Sequence, residues 1–353
     1  MAVGDNLIHD VIYWQAKTDD GYDFLPAYQA VAPLIQQADL SFINQETPVV
    51  AENPPASYPL FNSPVQLADS LQQLGFDIVN LANNHMLDQH AAGLQSTLSL
   101  MQEHFEPQGA VIGVNGAVPV VERNGIRFGF AAFTQHTNGI PLPQDKQEMI
   151  TYTDQTERMR QQVEQAAQIA DVAVVSVHWG QENSTTPTPA QRELAQQLAD
   201  WGADIIIGGH CRVPQPMELR TVTDADGNER TGFICYSLGN MLSCQNDEYT
   251  DISALVNIQL TKDTDTGEVW ISDVSYKPIY MADLYDYGIN DYGWHYRMVD
   301  LHAAINSYES GTPWEFITDE VYRDMADALE AVHEFFGAEL DSAVKDAAAA
   351  TEE

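Results

Sequence analysis

Short apolar runs alternate with helical segments up to about residue 245. The runs are mostly rich in β-branched residues, which predicts buried strands over Leu40 to Ile43, Asp77 to Leu81, Asp171 to Val177 and Ala203 to Ile207. Between them, apolar residues recur at helical spacing in Pro64 to Leu74, Ala91 to His104, Thr156 to Ile169 and Pro189 to Trp201. Thr188 can cap the last of these helices, and Pro189 suits its first turn. This alternation predicts an α/β fold.

Turn signals and a change of pattern complete the predicted elements. Arg123-Asn124-Gly125 predicts a hairpin within Val118 to Thr134, and further turns are predicted at Asp224 to Gly227 and at Asp263 to Gly267. Beyond residue 250, Ile252 to Leu260 and Val269 to Tyr280 alternate as antiparallel strands, whereas Trp294 to Ser307 and Asp319 to Phe336 show helical spacing. We therefore expect a main domain over residues 1–250 and strands and helices packed on it over 251–340. Residues 341–353, which are rich in Ala and acidic residues, are expected to form a frayed helix or a flexible tail.

Polar motifs stand where the apolar runs end. They are Gly4-Asp5, Asn44-Gln45-Glu46, Asn83-Asn84-His85, His178-Trp179-Gly180 and Gly208-Gly209-His210. Loops that leave adjacent strands converge at the carboxyl edge of a layered sheet, which is where ligands bind in such folds. Asp, Glu, Asn and His supply oxygen and nitrogen donors for a divalent or transition metal, and no cysteine cluster competes for that role. The motifs together predict a metal site.

Taken singly, each motif has a plainer explanation. Asp5 can bind a hard cation or end an ordinary turn, and Glu46 can bridge two ions or do neither. Asn83 or Asn84 can cap a helix. His178 follows a buried strand, where an imidazole is either a core histidine or a ligand. The same design of strand, glycines and imidazole at His210 makes coincidence less credible.

Composition limits the classes of partner. The 353 residues include 15 Lys plus Arg and 52 Asp plus Glu, a formal charge of −37. A chain with this charge repels nucleic acid and anionic membrane surfaces, so binding to a polyanion over a broad surface is not expected. The acidity is otherwise an argument about solubility rather than about chemistry.

Cysteines and hydropathy add little about location. Cys211, Cys235 and Cys244 lack the spacing of a disulfide framework, and no run of about 18 apolar residues predicts a membrane span. Met1 to Val3 form only the tail of the first predicted strand, which leads us to expect a leader or anchor upstream that has been removed.

The order of the motifs resembles that of the CapA family of capsule and poly-γ-glutamate synthesis proteins, within the calcineurin-like metallophosphatase superfamily. The resemblance covers about residues 3 to 245 and includes Asn44 to Pro48, Asn83 to Asp88, His178 to Glu182 and Ser237 to Asn240. It implies a four-layered α/β/β/α sandwich with a C-terminal strand and helix extension. It also implies roles for six residues: Asp5, Glu46, Asn84, His178 and His210 as metal ligands, with Glu46 bridging, and His85 as the proton donor.

The chain departs from the family pattern at Arg212. The family closes its last ligand motif as Gly-His-His-Pro-His, whereas Gly208-Gly209-His210-Cys211-Arg212 has Arg212 at the final position. A guanidinium has no lone pair for a metal, so the ion held by Asp5 is expected to bind weakly or to be absent. Arg212 can instead contact a substrate phosphate or carboxylate, and Asn240 is expected to line the same cleft. Cys211 and His9 are weaker candidates for a substitute ligand.

These features favour a metal-dependent hydrolase of the phosphoesterase type, linked to capsule or poly-γ-glutamate synthesis. The cofactor expected is Mn, Zn or Fe, as one or two ions, which lowers the pKa of a coordinated water. Two alternatives stay open: a non-catalytic module for polymer export or attachment, and an amide hydrolase that acts on a γ-glutamyl polymer. The resemblance implies a small-molecule or polymer substrate, a place outside the cytoplasm or at the cell envelope, and contact with membrane-associated capsule machinery through a segment missing from this chain.

Overall fold

The computed structural model describes residues 1–106, 108–223, 227, 229–289 and 294–352. Fourteen strands are described within these ranges: β1 Ala2–Asn6, β2 Phe42–Gln45, β3 Ile78–Asn80, β4 Ala110–Ile112, β5 Val120–Arg123, β6 Ile126–Thr134, β7 Val172–His178, β8 Ile205–Gly209, β9 Pro214–Thr223, β10 Glu229–Leu238, β11 Asn240–Leu242, β12 Ile252–Lys262, β13 Val269–Asp283 and β14 Tyr296–Asp300.

Helices connect and cover these strands. The α-helices are α1 Asp10–Gln15, α2 Leu25–Tyr28, α3 Ala32–Ile35, α4 Gln66–Leu74, α5 His90–Phe105, α6 Thr156–Ile169, α7 Pro189–Asp200, α8 Leu301–Glu309, α9 Asp319–Phe336 and α10 Ser342–Glu352. Short 3-10 helices span Gln144–Met149 and Ala338–Leu340. Helix α7 begins as its sequence predicts, because Thr188 and Gln191 form a reciprocal capping box ahead of Pro189.

Two sheets face each other. The first has the order β14-β13-β12-β1-β2-β3-β4, with β11 also paired to β1, and the second has the order β5-β6-β7-β8-β10-β9. Strands β1 to β4 pair in parallel in the first sheet, and β6, β7, β8 and β10 do so in the second. The carboxyl ends of the parallel strands therefore lie along one edge of each sheet.

Alternating side chains build the layers. On β6, Phe130 packs between the two sheets, whereas Ala131 and Phe133 face the cluster formed with α6 and α7. On β3, Ile78 points toward the second sheet and Val79 toward the helices that cover the first. Because successive strand residues point to opposite faces, both faces of each central strand are apolar and need a covering layer. The four-layered α/β/β/α arrangement is confirmed.

The C-terminal part continues the first sheet. Strands β12, β13 and β14 extend it beyond β1 in antiparallel pairing, and α9 contacts β12 and β13 as well as β9 of the second sheet. The helix predicted at Trp294 to Ser307 is wrong in its first half, since Tyr296–Asp300 is strand β14. Pairing with Ile279–Asp283 on β13 overrides the local helical spacing there. Of the two forms expected for the last segment, a frayed helix or a flexible tail, the structure has a helix, α10.

Most other predicted elements agree with the structure. The hairpin at Arg123-Asn124-Gly125 is confirmed by the antiparallel pair β5 and β6, and the turn at Asp263 to Gly267 joins β12 to β13. Residues 224 to 226 of the predicted turn at Asp224 to Gly227 lie outside the described residues. Among the helices that are described, none has both the length and the apolar character that crossing a bilayer requires.

Candidate metal centre

The polar motifs meet at one edge of the two sheets. Asp5 lies on β1, Glu46 and Asn84 follow β2 and β3 of the first sheet, and His178 and His210 end or follow β7 and β8 of the second. All five side chains are buried. A separate cavity of about 390 Å³ lies between the sheets at the opposite end, against Phe42, Ile78 and Phe128, and contains none of the predicted site residues.

Asp5 is held at the end of β1 by two donors from different strands. Asn44 Nδ2 donates to its Oδ1 at 2.7 Å, and the backbone nitrogen of His210 donates to its Oδ2 at 2.8 Å. A Cβ at Gly209 would lie 2.6 Å from Asp5 Oδ1, so only glycine lets β8 approach the carboxylate this closely. The glycine before His210 in the sequence therefore has a direct structural reason.

His178 brings the two halves of the cluster together. Its Nε2 lies 2.9 Å from Asn84 Oδ1 and 3.5 Å from Glu46 Oε1, and its Nδ1 lies 3.9 Å from Asp5 Oδ1. The rings of His178 and His210 are tilted by 58° to each other, with 4.9 Å between their centroids. Donor atoms of Asp5, Glu46 and His178 lie within 4.8 Å of one another. Five predicted ligands thus share one buried cluster, although neighbouring members are at least 32 residues apart in sequence.

The donor atoms of this cluster fit a metal ion. Both carboxylate oxygens of Glu46 and Nδ1 of His210 are buried without a hydrogen-bond partner among the described residues. Glu46 Oε1 has a charged neighbour in Arg212 Nη1, whereas Glu46 Oε2 and His210 Nδ1 have no partner among the described residues. Buried polar atoms are normally paired, so these two acceptors, beside Asn84 Oδ1 and His178, indicate a place for a cation. Neutral imidazoles, an amide oxygen and carboxylates are ligands that Mn, Zn or Fe accept.

Arg212 brings a permanent positive charge into the same cluster. Its side chain is 1 % exposed, and its Nη1 lies 2.5 Å from Glu46 Oε1 and 3.8 Å from Asp5 Oδ2. The contact with Glu46 is an ion pair without hydrogen-bond geometry, since neither atom has a hydrogen-bond partner. On its other side, Arg212 donates from Nε and Nη2 to Glu182 Oε1 at 3.3 and 3.2 Å. The guanidinium therefore points into the cluster rather than out to solvent.

The backbone that carries His210 and Arg212 is strained. Their φ angles are +88° and +68°, in the left-handed region that residues other than glycine rarely adopt. Each such residue costs on the order of 1–3 kcal/mol and persists where the surroundings require it. These backbone angles turn the side chains of His210 and Arg212 toward the ligand cluster. The side chain of Cys211, between them, points away from the cluster, and its Sγ donates to Trp179 O at 3.4 Å.

The pKa values of the two carboxylates, Asp5 and Glu46, are shifted in opposite directions. Burial and the nearby Glu46 raise the pKa of Asp5. Burial also opposes ionisation of Glu46, but Arg212 and His178 lower its pKa well below the ordinary value. Burial, with the charges of His178 and Arg212, lowers the pKa of His210 to about 2, so this imidazole is neutral and its lone pair is free at any physiological pH. Arg212 thus neutralises Glu46 better than Asp5.

His85 lies beside this cluster in its own pair. Its Nδ1 contacts Asp88 Oδ2 at 2.7 Å, and Asp88 is held in turn by the backbone nitrogen of Phe61 at 2.9 Å. Asn138 Nδ2 lies 3.4 Å from His85 Nδ1, while its Oδ1 accepts from Asn84 at 3.2 Å. A carboxylate on Nδ1 fixes the imidazole orientation and leaves Nε2 to exchange a proton.

Three other predicted residues have structural partners. Asn83 Oδ1 accepts from the backbone of His85 at 3.1 Å, a local turn of the kind expected for a capping residue. Asn240 Nδ2 donates to Ser243, Gln245 and Thr250 in the loop after β11, while its Oδ1 is buried and unpaired among the described residues. Nδ1 of His9 accepts from the backbone of Cys244 at 3.3 Å, and the His9 ring packs edge-on against Phe61.

Sequence reasoning missed His136 at this site. Its ring lies 5.0 Å from that of His210 in an edge-on arrangement, and burial lowers its pKa. His136 stands two residues after the end of β6, a strand parallel to β7, which is the signal by which it could have been found. Glu182 and Asp88 lie within the sequence motifs, and they are the partners of Arg212 and His85.

One known protein family matches most of the chain. The family model described as "Bacterial capsule synthesis protein PGA_cap" matches residues 1–245, a span that contains every residue of the cluster. This chain belongs to the PGA_cap family. The PGA_cap match ends before β12, so the C-terminal strands and helices lie outside it.

Similar curated proteins are named for capsule or PGA biosynthesis. The PGA biosynthesis protein CapA of Bacillus subtilis is 29 % identical over 255 residues, which are 67 % of this chain and 61 % of that protein. The capsule biosynthesis protein CapA of Bacillus anthracis is 29 % identical over 279 residues, 74 % of this chain and 65 % of that protein. The PGA_cap chain described here thus spans less than two thirds of the length of these relatives.

Solved structures show a more remote likeness. The NAD nucleotidase of Haemophilus influenzae aligns with 89 % of this chain and 50 % of its own, with a TM-score of 0.42 and 10 % sequence identity.

Proposed function

We propose that this PGA_cap protein is a metal-dependent hydrolase, with a phosphoester as its first-choice substrate and a role in capsule or poly-γ-glutamate synthesis. Asn84, His178, His210 and Glu46 would hold the ion, since Asn84 Oδ1 and Glu46 Oε1 lie 2.9 and 3.5 Å from His178 Nε2. Glu46 and His210 also offer buried atoms without a hydrogen-bond partner among the described residues. Bound there, a divalent ion would supply an activated water and neutralise oxyanion charge. Its proposed identity is Mn, Zn or Fe.

The observation that carries a catalytic role is the His85–Asp88 pair. Asp88 contacts Nδ1 of His85 at 2.7 Å, which leaves Nε2 to give a proton to a leaving oxygen. Asn138 links this imidazole to the ligand Asn84, so the proton donor and the metal site are positioned by one short network. A positioned general acid is worth roughly 10²- to 10⁴-fold in rate.

Asp5 and Arg212 would set the charge of the site. Arg212 lies near both carboxylates, and in this proposal it takes over part of the neutralisation that a second ion would provide. Its Nη2 contacts Glu182, whose side chain is half exposed. If Glu182 moved aside, an anionic group of the substrate would reach the guanidinium from solvent. Asn240, on the strand beside Asp5, is the second proposed substrate contact.

A non-catalytic module for polymer export or attachment is the second candidate. The same Arg212 favours it, because a buried guanidinium 2.5 Å from Glu46 partly balances the cluster without any ion. A scaffold of this kind would keep its binding function in chelator, whereas the hydrolase would lose turnover. The expected place at the cell envelope belongs to either proposal.

A substrate panel separates these functions. Wild-type protein, loaded with Mn²⁺, would be assayed on a generic phosphodiester, a phosphomonoester and poly-γ-glutamate, with and without chelator. His85→Gln should lose turnover, whereas His104→Gln should not. His104 is the matched control because it also forms a His–Asp pair, with Asp69 at 3.0 Å, on the outer face of α5. Hydrolysis only of poly-γ-glutamate would assign the amide reaction, and no hydrolysis with metal bound would favour the module.

A further inference from the structure

A second cluster of metal-ligating side chains lies in the C-terminal part, outside residues 1–245. His302 Nε2 on α8 lies 2.7 Å from Asp341 Oδ2, and His333 Nε2 on α9 lies 2.8 Å from the same oxygen. Asp341 directly precedes α10. Two imidazoles and one carboxylate from three different elements thus meet at a single point.

The carboxylate of this cluster is fixed in place. Asp341 is fully buried, its Oδ1 accepts from the backbone nitrogen of Ala343 at 2.9 Å, and its backbone forms a bridge with Tyr276 on β13. Oδ2 is therefore the atom left for the two histidines. Two imidazole nitrogens therefore approach one carboxylate oxygen. Either both nitrogens donate an N–H hydrogen bond to this oxygen, or the lone pairs of both nitrogens and the oxygen bind one shared cation.

The two histidines keep this cluster open to solvent. Each has a side chain 25 % exposed, so an ion can reach the three donors and a water can complete its coordination. Two imidazoles and a carboxylate with one open position suit a tetrahedral Zn²⁺. Bonds of 2.0–2.1 Å place tetrahedral ligands about 3.3 Å apart, so each nitrogen needs to withdraw from Oδ2 by only about 0.5 Å, well within the movement of an exposed imidazole.

We propose that His302, His333 and Asp341 form a zinc-class metal site that fastens α8, α9 and the start of α10 to β13. The surroundings suit a structural role, since the packing of this region already ties the same elements together. Tyr276 Oη donates to Gly337 O at 3.0 Å, and the ammonium of Lys345 on α10 donates to Asp273 and to Val274 O on β13. The site is independent of the cluster at Glu46 and of any hydrolytic activity.

Zinc content and metal-dependent stability test this site. Wild-type protein, His302→Gln, His333→Gln and His104→Gln would be loaded with Zn²⁺, desalted and analysed for metal. Glutamine still donates to Asp341, which preserves the apo contact while removing the imidazole donor. His302→Gln and His333→Gln should each hold one ion fewer per chain than wild type and bind Zn²⁺ at least tenfold more weakly at this position, whereas His104→Gln should match wild type.

A second comparison keeps this test separate from the first metal centre. The variant His178→Ala should retain the C-terminal ion, and His178→Ala with His333→Gln should hold none. Zn²⁺ should raise the melting temperature of His178→Ala but not that of the double variant. The proposal is overturned if His302→Gln and His333→Gln keep the wild-type zinc content, or if Zn²⁺ stabilises the double variant as much as His178→Ala. If one single variant fails to fold, the other and the Co²⁺ absorption of His178→Ala decide.

Discussion

Arg212 Nη1 contacts Glu46 Oε1 at 2.5 Å inside the buried cluster of this PGA_cap protein. Both side chains are almost fully buried, and the ion pair lacks the angle of a hydrogen bond. Burying two charges is favourable only when geometry and further hydrogen bonds are good. Arg212 has such bonds to Glu182, but neither carboxylate oxygen of Glu46 has a hydrogen-bond partner among the described residues. The carboxylate of Glu46 is therefore neutralised but poorly coordinated, and it keeps the capacity to bind an ion.

Replacing Arg212 by histidine should add a metal ion. An imidazole at this position supplies the neutral nitrogen that a guanidinium cannot, and it removes a positive charge near Asp5. We expect Arg212→His to bind two Mn²⁺ per chain where the unsubstituted protein binds one, both counted by elemental analysis in the His333→Gln background. If Arg212 also contacts the substrate, KM should rise by the equivalent of about 1.5–3 kcal/mol. Unchanged ion number and unchanged kinetic constants would show that Arg212 has neither role.

Removing the guanidinium without adding a donor should destabilise the metal-free protein. Arg212→Met leaves Glu46 buried and unpaired, a change that costs about 3–5 kcal/mol in the free energy of unfolding. Arg123→Met, which breaks the partly exposed pair with Asp77, should cost less than about 1 kcal/mol. Both are measured by urea unfolding in chelator. Mn²⁺ should restore part of the loss in Arg212→Met only; equal losses in the two variants would contradict the charge-balancing role.

The general layout of the site could be predicted from the sequence because strand ends are easy to locate. Apolar runs such as Asp171 to Val177 mark buried strands, and parallel strands deliver whatever follows them to one edge. His178 and His210 could therefore be placed near Asp5 from the sequence alone. The helices and the hairpin at Asn124 follow equally local rules of spacing and turn chemistry.

Features that depend on tertiary packing or on unusual backbone angles could not be predicted from the sequence. The inward turn of Arg212 follows from a φ of +68°, which no residue pattern signals. Strand β14 forms where a helix was predicted because β13 offers it a partner. His302 and His333 are 31 residues apart on helices whose facing surfaces are set by packing, so their meeting at Asp341 leaves no periodic trace.

The His85–Asp88 pair should govern turnover rather than metal binding. His85→Ala removes the proposed proton donor and should lower kcat by roughly 10²- to 10⁴-fold. Asp88→Asn keeps the imidazole but loses the charged partner of Nδ1, so a smaller fall in kcat and an altered pH profile are expected. Metal content should equal that of the wild type in both, measured on the same samples. A wild-type kcat in His85→Ala would remove this histidine from the mechanism.

The acid stability of the fold should depend on Asp171. Although burial opposes ionisation, hydrogen bonds from Arg127 and Lys262 lower its pKa from 3.8 to about 2. A carboxyl whose pKa is lower in the folded state stabilises the protein above the unfolded pKa, and this stability is lost as pH falls through the folded pKa. The window is therefore about pH 4 to 2.

Chemical unfolding across this pH range tests the Asp171 contribution. Asp171→Asn should reduce the free energy of unfolding at pH 6 by no more than about 2 kcal/mol, with solvent screening included, and the difference from wild type should disappear near pH 2. Replacement of the exposed Asp20 by asparagine is the control and should change little. A difference that persists unchanged to pH 2 would mean that the charge of Asp171 is not responsible.

The metal content of His178→Ala and His210→Ala tests the central claim most directly. Measured by elemental analysis after Mn²⁺ loading in the His333→Gln background, the parent protein should hold one ion per chain and each alanine variant none. Losing a residue that hydrogen-bonds to a metal ligand weakens metal binding by about 10- to 100-fold. Losing a ligand itself should weaken binding by more than this. The parent content of one ion in either variant, or no ion in the parent, would contradict the assignment of this cluster as a metal centre.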